Sequence, residues 1–155
     1  MAKRLVDNPL RFARLRLRAR APISPAQSLD PVADGVRPLV LDPGGTPILD
    51  AVLAPSDGSS GWRPRGSSRW TYVDRDGSSG IRHLTLDRRA DAGLVTVTVK
   101  ARGDFPGNET GGAYRAIVVF GDQSAAAAGR CGESDFAPLV DCRLAESRRR
   151  LTCSP

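Results

Sequence analysis

The segment Leu15-Arg16-Leu17-Arg18-Ala19-Arg20-Ala21 alternates apolar and cationic positions with period two. That is the pattern of an extended strand with one face in a core and the other in water. Leu15, Leu17, Ala19 and Ala21 are expected inward, and Arg16, Arg18 and Arg20 outward. An Arg-rich, acid-poor N-terminus also invites a transit-peptide reading. On a helix, however, the same order would scatter Leu and Arg around every side, so no apolar stripe would form. Leu94 to Arg102 repeats the alternation more clearly, with Val95, Val97, Val99 and Ala101 on one side and Thr96, Thr98, Lys100 and Arg102 on the other. Its β-branched residues suit a pleated surface.

Turn chemistry punctuates the rest. Pro22 to Gly35 reads as a loop that ends in Asp34-Gly35. Val36 to Asp42 and Pro47 to Ala54 form a hairpin across Asp42-Pro43-Gly44-Gly45, with Pro38 pushing the first of these strands towards a sheet edge. Pro55 to Ser68 is a Gly/Ser/Pro loop containing Gly61-Trp62. Arg69 to Asp74 pairs with Ile81 to Asp87 across residues 75–80. A Gly-rich loop at 103–112 leads into Ala113 to Phe120, which is apolar on both faces after Arg115 and so belongs in the middle of a sheet. Ala125 to Ala128 predicts a single helical turn between Gly121 and Gly129. Cys142 to Leu144 and Arg148 to Cys153 make a last hairpin. This amounts to about eight or nine strands at intervals near ten residues, with no amphipathic helix competing. The fold class expected is all-β, an antiparallel two-sheet β-sandwich, with a small β-barrel as the alternative.

Composition supports one such unit. The 155 residues include 16 Gly and 12 Pro, which favour short strands and many turns. A single domain over 1–155 is expected, with residues 1–9 and 154–155 disordered. No run of about 18 apolar residues exists, so membrane insertion is not expected. No secretory signal follows Met1, so an exported setting implies a piece of a longer chain.

The net charge is +6, but its distribution is uneven. Residues 1–21 carry seven cations and Asp7, residues 148–155 carry three cations, and the remaining 13 cations and 16 acids give 22–147 a charge of −3. The basicity therefore reads as terminal, and of the 23 cations 21 are Arg, a bias that GC-rich coding can produce. A nucleic-acid footprint should be a patch on the fold. At most an arm from Arg11 to Arg20 would qualify, and no nucleic-acid partner is expected.

Cys131, Cys142 and Cys153 are spaced by 11 and 11 without a CxxC or a nearby His, so a zinc site lacks ligands and no metal or other cofactor is expected. Three buried thiols would behave as small apolar residues. If the last hairpin turns at Ser147 and Arg148, Cys142 lies opposite Cys153 and Leu144 opposite Leu151. That is close enough for a disulfide, and a disulfide implies an oxidising compartment. Pairing Cys131 with Cys142 is the alternative bridge.

Several motifs are weaker than they look. Asp74-Arg75-Asp76-Gly77-Ser78 resembles a calcium loop but has Ser79 and Thr85 where an EF-hand needs Gly and Glu. Arg102-Gly103-Asp104 arises readily by chance in a chain this rich in Arg, Gly and Asp. Asn108-Glu109-Thr110 is a formal glycosylation acceptor. His83 is the single histidine, and any Ser/His/Asp or Cys/His site would have to use it. It is placed on a face with Ile81 and Thr85, and no Gly-x-Ser-x-Gly elbow accompanies it. No catalytic site is expected, and the chain is read as not an enzyme. Trp62, Trp70 and Tyr72 would form a sugar-stacking platform if exposed and large core blocks if buried.

The order of features has a likeness elsewhere. It runs from Lys3-Arg4-Leu5-Val6-Asp7-Asn8-Pro9 and the basic strand through Asp30-Pro31, Gly61-Trp62, Trp70-Thr71-Tyr72 and Ala113-Tyr114-Arg115. It ends with Arg130-Cys131-Gly132-Glu133, Phe136, Cys142 and Leu151-Thr152-Cys153. This resembles a β-rich module, without known activity, found in large bacterial proteins predicted to be exported, sometimes in repeats. The resemblance implies an extracellular or cell-surface setting. The function expected is a non-catalytic structural or interaction module of a secreted or cell-surface protein. Its partners would be neighbouring modules or an extracellular ligand, met through loops 55–68, 75–80 and 103–112. A carbohydrate-binding module using Trp62, Trp70 and Tyr72 is the alternative.

Overall fold

The computed structural model describes residues 11–24, 28–56, 61–74, 79–91, 93–106, 114–121, 125, 127–128, 131–136, 142–145 and 150–153. The expected disorder at 1–9 and 154–155, the turn residues 75–78 and the acceptor Asn108-Glu109-Thr110 lie outside them.

Among these residues the chain forms β1 (Arg11–Pro22), a one-turn helix α1 (Pro31–Asp34), β2 (Val36–Leu41), β3 (Pro47–Asp50), β4 (Gly61–Pro64) and β5 (Arg69–Val73). It continues with β6 (Ile81–Asp91), β7 (Leu94–Pro106), β8 (Tyr114–Phe120), β9 (Cys131–Phe136), β10 (Cys142–Ala145) and β11 (Arg150–Cys153). The strands make a seven-stranded sheet in the order β10-β11-β1-β7-β6-β5-β4 and a four-stranded sheet in the order β3-β2-β8-β9. The sheets do not close into a barrel, so the sandwich is the architecture. Pairing is antiparallel except between β1 and β11, where the first and last strands run parallel.

The hydrophobic faces close on each other as the alternation requires. Leu15, Leu17 and Ala19 of β1, Val95, Val97 and Val99 of β7, and Ile81, Leu84 and Leu86 of β6 are all buried. Facing them are Val36 and Val40 of β2 and Ala116, Val118 and Phe120 of β8. Where β9 crosses β1 the sheets approach closely. A Cβ at Gly132 would stand 2.6 Å from Ala21 Cβ and 3.1 Å from Pro22 O, so glycine opposite alanine sets the gap there. The β2–β3 turn is closed by Asp42, whose Oδ1 accepts from the N–H groups of Gly44 and Thr46, both at 2.8 Å.

Four features depart from the sequence reading. First, β4 and β9 are strands inside stretches with little alternation. Gly61 bends into β4 at φ 82°, and β9 mixes small and acidic residues. Second, the loop before β2 contains α1, with Pro31 at its start and Asp30 Oδ1 accepting from Ala33 N at 3.2 Å as the cap.

Third, Pro38 sits in β2, an interior strand, rather than at an edge. Its carbonyl accepts from Ala51 N at 3.2 Å, just past the end of β3. A strand residue's N–H and C=O point to the same neighbour, so the missing donor falls beyond β3 and leaves the ladder with β8 intact. Fourth, a β-bulge separates Ile81, opposite Ala101, from His83, opposite Lys100. The extra residue lets Ile81, Leu84 and Leu86 all face the core and turns His83 outward with Thr85. His83 therefore does not share a face with Ile81, contrary to the simple alternation.

Candidate functional site

Arg14, Arg16, Arg18 and Arg20 do not form an arm. β1 lies between β11 and β7 inside the larger sheet, because Leu15, Leu17, Ala19 and Ala21 must reach the core. Arg14, Arg16, Arg18 and Arg20 are thereby fixed, all exposed, on the sheet's outer face. What is terminal in sequence is central in space, and the basicity is a patch on the fold after all.

The ladder registers define that face rung by rung. Arg20 lies beside Thr96, Asp87 and Arg69; Arg18 beside Thr98, Thr85 and Thr71. Arg16 lies between Thr152 on one side and Lys100 and His83 on the other, and Arg14 lies beside Arg102. Residues two apart on a strand are separated by about 6.7 Å and neighbouring strands by about 4.8 Å, so the cations form a closely spaced array. The face is concave in places. A depression of about 570 Å³ is lined by Arg16, Arg18, Arg69, His83, Lys100, the threonines between them, Cys153 and the carboxylate-bearing Asp87. A smaller one of about 300 Å³ is lined by Arg14, Arg16, Arg82, Lys100 and Arg102.

Charge compensation on this face is sparse. The side chains of Arg14, Arg16, Arg18, Arg20, Lys100 and Arg102 make no ion pair or hydrogen bond with another described residue. Asp87 is the one acid among the described side chains there, and it has its own interaction. Two buried polar atoms of the face, Arg69 Nε and His83 Nδ1, have no hydrogen-bond partner among the described residues. Burial, then the charges of Lys100 and Arg69, hold His83 below the ordinary histidine range, which favours the neutral imidazole.

The aromatic residues singled out from the sequence are elsewhere. Trp62 is 2% exposed and Trp70 7% exposed, both facing the core, and Tyr72 is half-buried against the Trp62 ring at 5.3 Å between centroids. Trp62 lies opposite Tyr72 across the β4–β5 ladder, so the trio is a core block and presents no open platform. Burial, together with the charge of Asp74, raises the Tyr72 pKa, while a hydrogen bond with Ser79 opposes the shift.

Asp74, which opens the acidic turn, is held within the fold. Asp74 is buried, and its Oδ2 accepts from Ser79 N at 2.9 Å and Ser79 Oγ at 2.8 Å. Among the described residues no group of three His, Cys, Asp or Glu side chains could hold a metal ion. No hydrogen bond holds the His83 ring to a nucleophile or carboxylate among them either.

The cysteines separate. Cys131 is a free thiol at the start of β9 in the smaller sheet, so the alternative bridge to Cys142 is not formed. Cys142 and Cys153 are directly opposite across β10–β11, as are Leu144 and Leu151. Among the described residues no helix is long and apolar enough to cross a membrane.

The signal that could have located this face was present in the alternation of Leu15 to Ala21, which assigns its arginines to a sheet surface. Missing was any means of knowing that β7, the other strongly alternating strand, would pair with it. Comparison with family models, curated proteins and solved structures found no match.

Proposed function

We propose that this domain is a non-catalytic interaction module that binds an anionic partner through the outer face of its larger sheet. The observation that carries the reading is the array of Arg14, Arg16, Arg18, Arg20, Lys100 and Arg102 on adjacent strands, with Asp87 the one acid beside them among the described side chains. Like charges held this close repel one another and destabilise the fold slightly, and an anionic ligand would relieve that repulsion. Retention on immobilised polyglutamate tests it. Wild-type protein should be retained at low salt and released as salt rises, and R16S/R18S should elute much earlier. Equal elution of the two proteins would overturn the assignment.

The setting belongs to the same proposal: a secreted or cell-surface protein in which Cys142 and Cys153 form a disulfide. Their direct opposition in β10–β11 and the burial of Cys153 support it. Thiol titration of unfolded, unreduced protein should find one free cysteine, Cys131. Three free thiols would remove the argument for an oxidising compartment.

A further inference from the structure

Resting on the binding face just proposed, we infer that its occupant is an extended acidic polysaccharide, a chain bearing carboxylates or sulfates together with free hydroxyls. It would lie along β1 over the seam with β7.

The chemistry of the face selects this class in three steps. The cations come in two flanking lines. Arg14, Arg16, Arg18 and Arg20 follow β1, and Lys100 and Arg102 follow β7 beside them. From Arg14 to Arg20 the line is roughly 20 Å long, six residues at the rise of a strand. That length suits a polymer carrying a charge at intervals better than a single small anion. Arginine forks bind carboxylate and sulfate with paired hydrogen bonds.

The cations are also interleaved with hydroxyls. Thr96 and Thr98 stand beside Arg20 and Arg18, and Thr152 stands beside Arg16. A hydroxyl both donates and accepts, so these positions match a ligand that offers sugar hydroxyls between its charges. The DNA backbone offers none.

The face also lacks what the competing polyanions need. Single-stranded nucleic acid is held by aromatic side chains that stack on its bases, but Trp62 and Trp70 point into the core. An anionic membrane is a broad plane, which cannot enter a depression of about 570 Å³, whereas one polysaccharide chain can. Arg69 and His83 line the same depression as the cations and threonines.

The experiment is a titration of the wild-type domain with four probes. These are a heparin decasaccharide, neutral dextran, a duplex DNA of matched charge, and equimolar phosphatidylglycerol–phosphatidylcholine vesicles. Binding to heparin at least about tenfold tighter than to DNA or vesicles, with none to dextran, is the expected result. T96V/T98V keeps side-chain shape and charge; it should weaken heparin several-fold and leave polyglutamate retention unchanged, while thermal melting confirms that it is folded. Equal or tighter binding to DNA or vesicles, or indifference of heparin to T96V/T98V, would overturn the polysaccharide assignment while leaving the anionic face in place. Loss of polyglutamate retention in the wild type would instead remove the face itself.

Discussion

The outer surfaces of the two sheets are built by the same alternation and end up chemically opposite. On the smaller sheet, β2 sends Arg37, Leu39 and Leu41 outward, and β8 sends Arg115 and Ile117, while Val119 is buried. Leu39 lies opposite Ile117. Arg37 donates to both carboxylate oxygens of Asp50, at 2.8 Å and 2.7 Å. There, apolar neighbours and a forked ion pair finish the surface internally. On the larger sheet, the cations of β1 and β7 are left without described partners. A charge that meets its counter-charge within the fold serves the fold. A row of charges left open costs some self-repulsion, which the proposed anionic partner would relieve.

That contrast can be broken most severely by exchanging the faces of β1. Leu17→Arg would place a cation at a site 1% exposed. The expected outcome is loss of several kcal/mol or failure to fold, read by urea denaturation. R16S/R18S changes two residues of the same strand on its other side. Stability should stay within about 0.5 kcal/mol of wild type, or rise, while polyanion affinity falls about tenfold or more.

On the smaller sheet the pattern should reverse. Arg37→Ala should lower stability by up to about 1 kcal/mol, since the pair is partly solvated, and leave polyanion retention unchanged. The hydrogen bond from Arg37 and its charge hold the Asp50 pKa below the ordinary carboxylate range against a smaller opposing effect of burial. The stability this brings is present above the unfolded-state pKa and disappears as pH falls through the folded one. An acid titration of stability should therefore show a component that Arg37→Ala removes.

The smallest expected effect is at His83. Its pKa is lowered in the folded state, so the unfolded chain takes up a proton first as pH falls. Stability should decline from its value above about pH 6.5 as pH drops through the folded-state pKa, and His83→Gln should flatten that decline. A bound polyanion should reverse the trend by favouring the imidazolium.

Much of the fold could be read because it rests on one local rule. The inward and outward sets of β1 and β7 follow residue by residue, and the register of Cys142 with Cys153 and Leu144 with Leu151 follows from the position of one turn. Non-local facts escaped. Nothing in Leu15 to Ala21 says that its neighbours are β7 and β11, and that placement turns a basic terminus into a basic surface. The bulge at Arg82 arose because three apolar residues, Ile81, Leu84 and Leu86, all demanded burial against strict alternation. The aromatic residues were legible in type only. Whether Trp62 stacks on a sugar or fills a core depends on β4 pairing with β5, and a Gly/Ser/Pro-rich sequence conceals that strand.

The central claim is that Arg16 and Arg18 belong to a working charged face. It is tested most directly by the salt dependence of polyanion binding in wild type and R16S/R18S. Each cation engaged by the ligand adds about one to the slope of log affinity against log salt, so the double substitution should reduce that slope by about two. An unchanged slope would mean that these arginines touch only water.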